Sequence, residues 1–229
     1  MDIVHNWMMS HPSQQESAAA TGRRERKRRQ THQAIERAAV ALACEVGYAN
    51  VTVAEICERA DVSRSTFFNY MPSLDAAIFG PPLRLIPDEA AWAMLDAGAD
   101  HVPRALNMIS LASVAASVGD DMVDTEVMAG RRRLVHEQPD TIPRWEETFS
   151  TLRFQLVVLV GRWLAAHPER RALEKGALAR ETLLLVNASG AVATALMDEW
   201  ADADPGAAAG PEAFDRVYAD LRRVIAAHG

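Results

Sequence analysis

From about residue 23 onward, apolar side chains recur at steps of three and four, and Gly and Pro separate the runs. That period belongs to helices packed on one face. No stretch alternates apolar and polar residues between turn dipeptides, so strands are not expected and the fold class is all-α, with roughly ten helices. The first helix is expected from about Arg23 to Val46, with Ile35, Ala38, Ala39, Leu42 and Val46 on its inner face and Gly47 as its stop. Thr52-Val53-Ala54-Glu55 has the form of a capping box, opening a short helix that buries Val53, Ile56, Cys57 and Ala60. After a turn at Asp61-Val62, Ser63 caps a third helix, Arg64 to Tyr70, and Pro72-Ser73 ends it and starts the next. Three helices with a tight turn between the second and third make a helix-turn-helix arrangement.

Further helices are expected at 74–80, 88–98, 103–118, 121–137, 141–166, 176–201 and 211–227. The two longest carry a seam of alternating four- and three-residue steps. On one it runs Trp145, Phe149, Leu152, Leu156, Leu159, Trp163; on the other Leu183, Val186, Gly190, Ala193, Met197, Trp200. Both are also apolar off the seam, as at Val157, Val160, Leu164, Leu184, Val192 and Leu196. A helix apolar on two faces is buried on two faces. One face then serves its own domain and the other a second subunit, with small residues from Ala188 to Ala193 allowing close approach. The expected interface is Leu152, Leu156, Leu159, Trp163, Val186, Gly190, Ala193 and Met197. A purely internal core is the other reading of the same pattern.

Residues 1–22 are mixed and polar and read as a disordered leader. The expected division is therefore leader 1–22, helix-turn-helix domain 23–72 and helical C-terminal domain 73–229. With 229 residues, 49% hydrophobic and 24% charged, the chain has material for a sizeable core. Its net charge of −7 argues against a polyanionic partner until the distribution is seen. Arg23, Arg24, Arg26, Lys27, Arg28 and Arg29 are interrupted only by Glu25. A grip on a polyanion needs local positive charge, although such a run read alone is a solvated basic tail. Cys44 and Cys57 fall among apolar helix residues and read as small core side chains, not as a disulfide or metal pair. The uncharged stretches Ala105–Gly119 and Thr182–Met197 are too short and polar for a bilayer, and no signal peptide is evident. No membrane partner and a cytoplasmic location are expected.

The stretch from Gly47 to Ser73 carries a glycine stop, a Thr cap, an Ala-x-Val-Ser turn and a Thr-aromatic-aromatic-x-Tyr helix. In these features residues 25–80 closely resemble the DNA-binding domain of the TetR/AcrR family of bacterial repressors. The Ala/Arg-rich composition and the Thr66–Tyr70 helix are similar to actinobacterial members, including regulators of the mycofactocin type. In a helix-turn-helix the second motif helix enters the major groove, N-terminal side chains first. Here these are Arg64, Ser65, Thr66 and, a turn later, Asn69. Arg suits guanine, Asn adenine, and a Thr methyl thymine. Thr52 at a helix start, the Tyr48 and Tyr70 hydroxyls, and Arg23, Arg24, Lys27 and Arg28 are expected on the phosphate backbone. Phe67 is expected in the core. The resemblance also implies a Tyr where this chain has Phe68 and a Lys where it has Leu74, both directed at phosphate.

The resemblance further implies a homodimeric repressor on a palindromic operator, released by a small hydrophobic or amphipathic ligand held in the C-terminal domain. Trp92, Met108, Leu111, Met128, Arg131 and Phe149 are the candidate ligand residues, with Met94 and Met122 beside them. Each alone also reads as ordinary core, and Arg131, Arg132, Arg133 and His136 also read as a solvated face. Enzyme chemistry is not expected: there is no Gly-rich phosphate loop, Ser elbow or metal pair, and the seven His are scattered. No cofactor is implied. The alternative is a degenerate member that senses ligand or binds a protein with little DNA affinity.

Overall fold

A computed structural model describes residues 14–118, 124–202 and 211–228. Among these residues the regular structure is entirely helical, ten α-helices with short 3-10 turns between them. The chain divides into two compact units, Met1–Ile78 and Phe79–Gly229.

The first unit holds α1 (Gln14–Val46), α2 (Val53–Arg59), α3 (Arg64–Tyr70) and α4 (Leu74–Phe79), the last ending at the unit boundary. The sequence places the boundary before α4. Helix α4 is tied to the first unit, the Tyr48 hydroxyl donating to Asp75 Oδ1 at 2.7 Å. Helix α1 begins at Gln14, not near Arg23. Residues 14–22 of the expected leader are thus helical, in keeping with the high helix propensity of Ala18, Ala19 and Ala20; residues 1–13 lie outside the described residues. The inner face of α1 is buried at Ile35, Ala38, Ala39 and Leu42, but Val46 is 44% exposed. The stripe ends one turn before the helix does. Gly47 follows at φ 85, a backbone conformation that glycine adopts without a Cβ clash.

The second unit holds α5 (Asp88–Ala97), α6 (Val102–Val118), α7 (Thr125–Glu137), α8 (Ile142–Ala166), α9 (Leu178–Asp202) and α10 (Pro211–His228). One core cluster joins α5, α6, α8 and α9 through Leu95, Leu106, Ile109, Leu159, Trp163 and Val186. A second joins α9 to α10 through Val192, Leu196, Phe214, Val217 and Tyr218. Polar ties run beneath both. Trp163 Nε1 donates to Asp96 Oδ1 at 2.7 Å. The Tyr218 hydroxyl donates to the Pro103 carbonyl at 2.8 Å and accepts from Asn107 Nδ2 at 3.0 Å. Burial pushes the Tyr218 phenol well above its ordinary pKa, so it remains a donor.

The stretch Pro139–Ala166 is long and apolar enough to cross a membrane by length and composition, a longer candidate than either uncharged stretch. Much of its apolar content faces the chain's own core: Leu152, Leu156, Leu159, Val160, Trp163 and Leu164 of α8 are buried.

Gly98 ends α5 at φ −100, so its backbone does not demand glycine. Space does: a Cβ there would lie 2.6 Å from the Ala105 Cβ on α6. Gly98→Ala is expected to destabilise the second unit by about 1–3 kcal/mol, the usual cost of overpacking. At Gly176 a Cβ meets no heavy atom within 4 Å, and Gly176→Ala is expected to be neutral or stabilising by up to about 1 kcal/mol. Urea unfolding of both variants, followed by tryptophan fluorescence, checks the contrast.

Candidate nucleic-acid interface

Helices α2 and α3 are each seven residues long, too short to persist alone. Their ends are therefore closed by side chains and turns. Thr52 Oγ1 accepts from the Glu55 amide at 3.3 Å, and Glu55 Oε2 accepts from the Thr52 amide at 2.9 Å, completing the capping box. At the other end of α2 the Val62 amide donates to the Cys57 carbonyl and the Asp61 amide to the Glu58 carbonyl. This is the bond pattern of a Schellman motif, with Asp61 at φ 50 in the position glycine usually takes. Asp tolerates that region better than most residues. Ser63 then caps α3, its Oγ accepting from the Thr66 amide at 3.0 Å. Phe67 is fully buried beneath α3.

The outer surface of α3 carries Arg64, Ser65, Phe68 and Asn69, all exposed, while Thr66 and Tyr70 are half-buried. Ser63 Oγ lies 2.8 Å from both Ser65 Oγ and Thr66 Oγ1, so three hydroxyls share one hydrogen-bonded cluster beside Arg64. On α1, Arg24, Lys27 and Arg28 are exposed at helical spacing; the Arg23 side chain lies outside the described residues. Two expected backbone contacts serve the fold first. The Thr52 hydroxyl proton goes to Glu55 Oε2 at 2.7 Å, and the Tyr48 proton to Asp75. A hydroxyl has a single proton, so a phosphate contact through either needs these bonds to open.

An ion pair not foreseen in the sequence braces the motif. Arg59 Nη1 and Nη2 each meet a Glu45 carboxylate oxygen at 2.7 Å, joining α2 to α1. The Glu–Arg signal was there, but a separation of fourteen residues has no helical periodicity to mark it.

Residues 35–76 match the family model described as bacterial regulatory proteins, tetR family. The matched segment lies within the first unit. It spans the last third of α1, the whole α2–turn–α3 motif and the start of α4. The match names the family and no subgroup. No curated protein matches the chain at a significant level.

The expected ligand residues fall in three neighbourhoods of the second unit. Trp92 and Phe149 pack against the α5–α6–α8–α9 core. Met108 and Leu111 pack against the α9–α10 cluster. Arg131 turns inward and is buried, with Nη1 4.0 Å from Met128 Sδ; a Cβ at Gly80 would lie 3.5 Å from that same nitrogen. Met94 packs on the first cluster, and Met122 lies outside the described residues.

Of the expected dimer seam, Leu152, Leu156, Leu159, Trp163 and Val186 are buried within their own chain. Among the described residues, the large apolar side chains left outward on α8 and α9 are Ile142, Phe154, Val158, Leu183 and Leu184. Gly190 is exposed, with open space where a Cβ would stand, and Ala193 is half-buried; the Met197 side chain lies outside the described residues. Helical spacing marks both faces of such a helix as apolar. Only packing decides which one the core takes.

Hydrogen bonds from Arg59 hold the Glu45 carboxyl below its ordinary value of 4.5, and the Thr52 hydroxyl and amide do the same for Glu55. A carboxyl whose folded pKa is depressed contributes its full stability above the unfolded value and loses it as pH falls through the folded one. Thermal stability of the first unit is therefore expected to decline below about pH 4.5. The Glu45→Gln, Glu55→Gln double variant is expected to show a flatter decline, read by circular dichroism melts between pH 3 and pH 7. An unchanged slope would remove these two carboxylates from the account.

Proposed function

We propose that the chain is a ligand-responsive transcriptional regulator, a repressor, that binds a palindromic operator as a homodimer in the cytoplasm. The observation that carries this reading is the exposed Arg64–Ser65–Asn69 surface of α3, held by a capped helix-turn-helix inside the matched segment. Arg64 and Asn69 have the donors and acceptors that read guanine and adenine edges. Arg24, Lys27 and Arg28 supply the sequence-independent grip on phosphate, with Ser65, Thr66 and Tyr70 as secondary contacts.

A palindrome needs a two-fold axis, with half-sites about 34–36 Å apart. The outward Phe154, Val158, Leu183 and Leu184 support a self-complementary contact, and open Gly190 supports close helix approach. Small apolar or amphipathic ligands meeting Trp92, Phe149, Met108 or Met128, with Arg131 for an acidic group, would release DNA by binding better to the dimer geometry that fits it poorly. A degenerate member with little DNA affinity is the second reading. Phe68 and Leu74 favour it, since neither supplies the phosphate-directed group that the resemblance implies at its position.

Gel shifts against the region upstream of the protein's own gene, at several salt concentrations, test the main reading. A saturable, salt-sensitive shift is expected, and Arg64→Ala or Asn69→Ala is expected to weaken specific binding by about 1–3 kcal/mol each. Losses equal on specific and random duplexes would reduce both side chains to backbone contacts, and the absence of any shift would favour the second reading. Sedimentation of a Phe154→Arg, Leu184→Arg variant tests the dimer. Monomers that no longer bind a palindromic duplex are expected; an intact dimer would move the interface elsewhere.

A further inference from the structure

We propose that Arg64 and Phe68 form one base-reading unit, which selects a guanine neighboured by a thymine through the thymine methyl group. The proposal rests on the DNA-binding reading above and adds to it the chemistry of one position in each half-site.

Phe68 is the anomaly on α3. It stands on a surface otherwise made of Arg64, Ser65 and Asn69, and it is 50% exposed, whereas the adjacent Phe67 is fully buried. Half of the ring is therefore open to an outside contact. Its surroundings hold it in place. The Phe67 and Phe68 rings meet edge-to-face with centroids 5.2 Å apart, so the buried ring fixes the exposed one. One helical turn earlier, the Arg64 guanidinium lies over the Phe68 ring, 5.7 Å from its centroid. Among the described residues no carboxylate pairs with Arg64. Its guanidinium is therefore positioned by an apolar ring, with its donors left for an outside partner.

The chemistry of that outside partner follows from the two side chains. A phenyl ring has no donor for phosphate and no polar group for a base edge. What it contacts well in the major groove is the 5-methyl group of thymine, the one apolar projection there. The guanidinium beside it has the fork that matches guanine O6 and N7. Residues four apart on one helix lie about 6 Å apart along its axis, within reach of neighbouring base pairs. The pair thus reads two adjacent pairs together, and the ring serves twice: as the methyl contact and as the rest that limits the freedom of Arg64 before binding.

The test uses the full-length protein and a duplex pool with a randomised centre. The enriched duplex is then remade with deoxyuridine replacing thymidine one position at a time, which removes a methyl group and nothing else. One thymine in each half-site, next to a guanine, is expected to be sensitive, its loss weakening binding about fourfold, the worth of burying a single methyl. Phe68→Ala is expected to bind more weakly and to lose that sensitivity, and to accept other bases at the neighbouring guanine. Phe68→Tyr, which keeps the ring, is expected to retain the sensitivity. Equal binding of thymidine and deoxyuridine duplexes at every position would overturn the proposal and leave the DNA-binding reading standing. So would a Phe68→Ala protein that still discriminates the methyl. Enrichment of no duplex at all would overturn both, and the base-substitution arm needs no variant to fold.

Discussion

The surface that α3 presents depends on the burial of Phe67. A seven-residue helix does not hold itself in water, and α3 carries mostly polar side chains outward. Phe67 supplies the apolar anchor, Ser63 closes the N-terminal turn, and Met71 and Ile78 bury the chain that leaves it. The turn before it is set by Asp61 in a left-handed conformation, a strain of order 1–3 kcal/mol that the Schellman bonds on either side sustain. Remove the anchor and the exposed Arg64, Ser65, Phe68 and Asn69 no longer share a fixed face.

The electrostatics of the first unit follow the same economy. Three acidic side chains near the motif are engaged locally, Glu45 with Arg59, Glu55 with Thr52 and Asp75 with Tyr48, while Glu58 and Asp61 stay exposed. Arg24, Lys27, Arg28 and Arg64 remain exposed, so a chain of net charge −7 still offers positive charge where α1 and α3 meet solvent. This is why the overall charge was a poor guide to partner and its distribution a better one.

In the second unit the determining constraint is that α8 and α9 are apolar on two faces. Leu152, Leu156, Leu159, Trp163 and Val186 went inward, with Trp163 further fixed by its bond to Asp96, and Phe154, Val158, Leu183 and Leu184 were left outside. Arg131 shows the converse. It sits in a run of three arginines that reads as a solvated face, yet it is buried near Gly80 while Arg133 stays at the surface and pairs with Glu137.

Much of this protein was legible in the residues. The helices of the second unit begin and end close to where Gly, Pro and the apolar period place them, and the Thr52 box, the Ser63 cap, the Gly47 stop and the left-handed Asp61 are where their chemistry puts them. These are interactions within a few residues of chain, so local sequence contains both partners. The rest involves partners far apart in sequence: the Glu45–Arg59 and Tyr48–Asp75 ties, the inward turn of Arg131, and the face of α8 that the core chose. Periodicity says that a face is apolar, but not what lies opposite it. Only the packed tertiary structure supplies the other side, and with it the outward ring of Phe68.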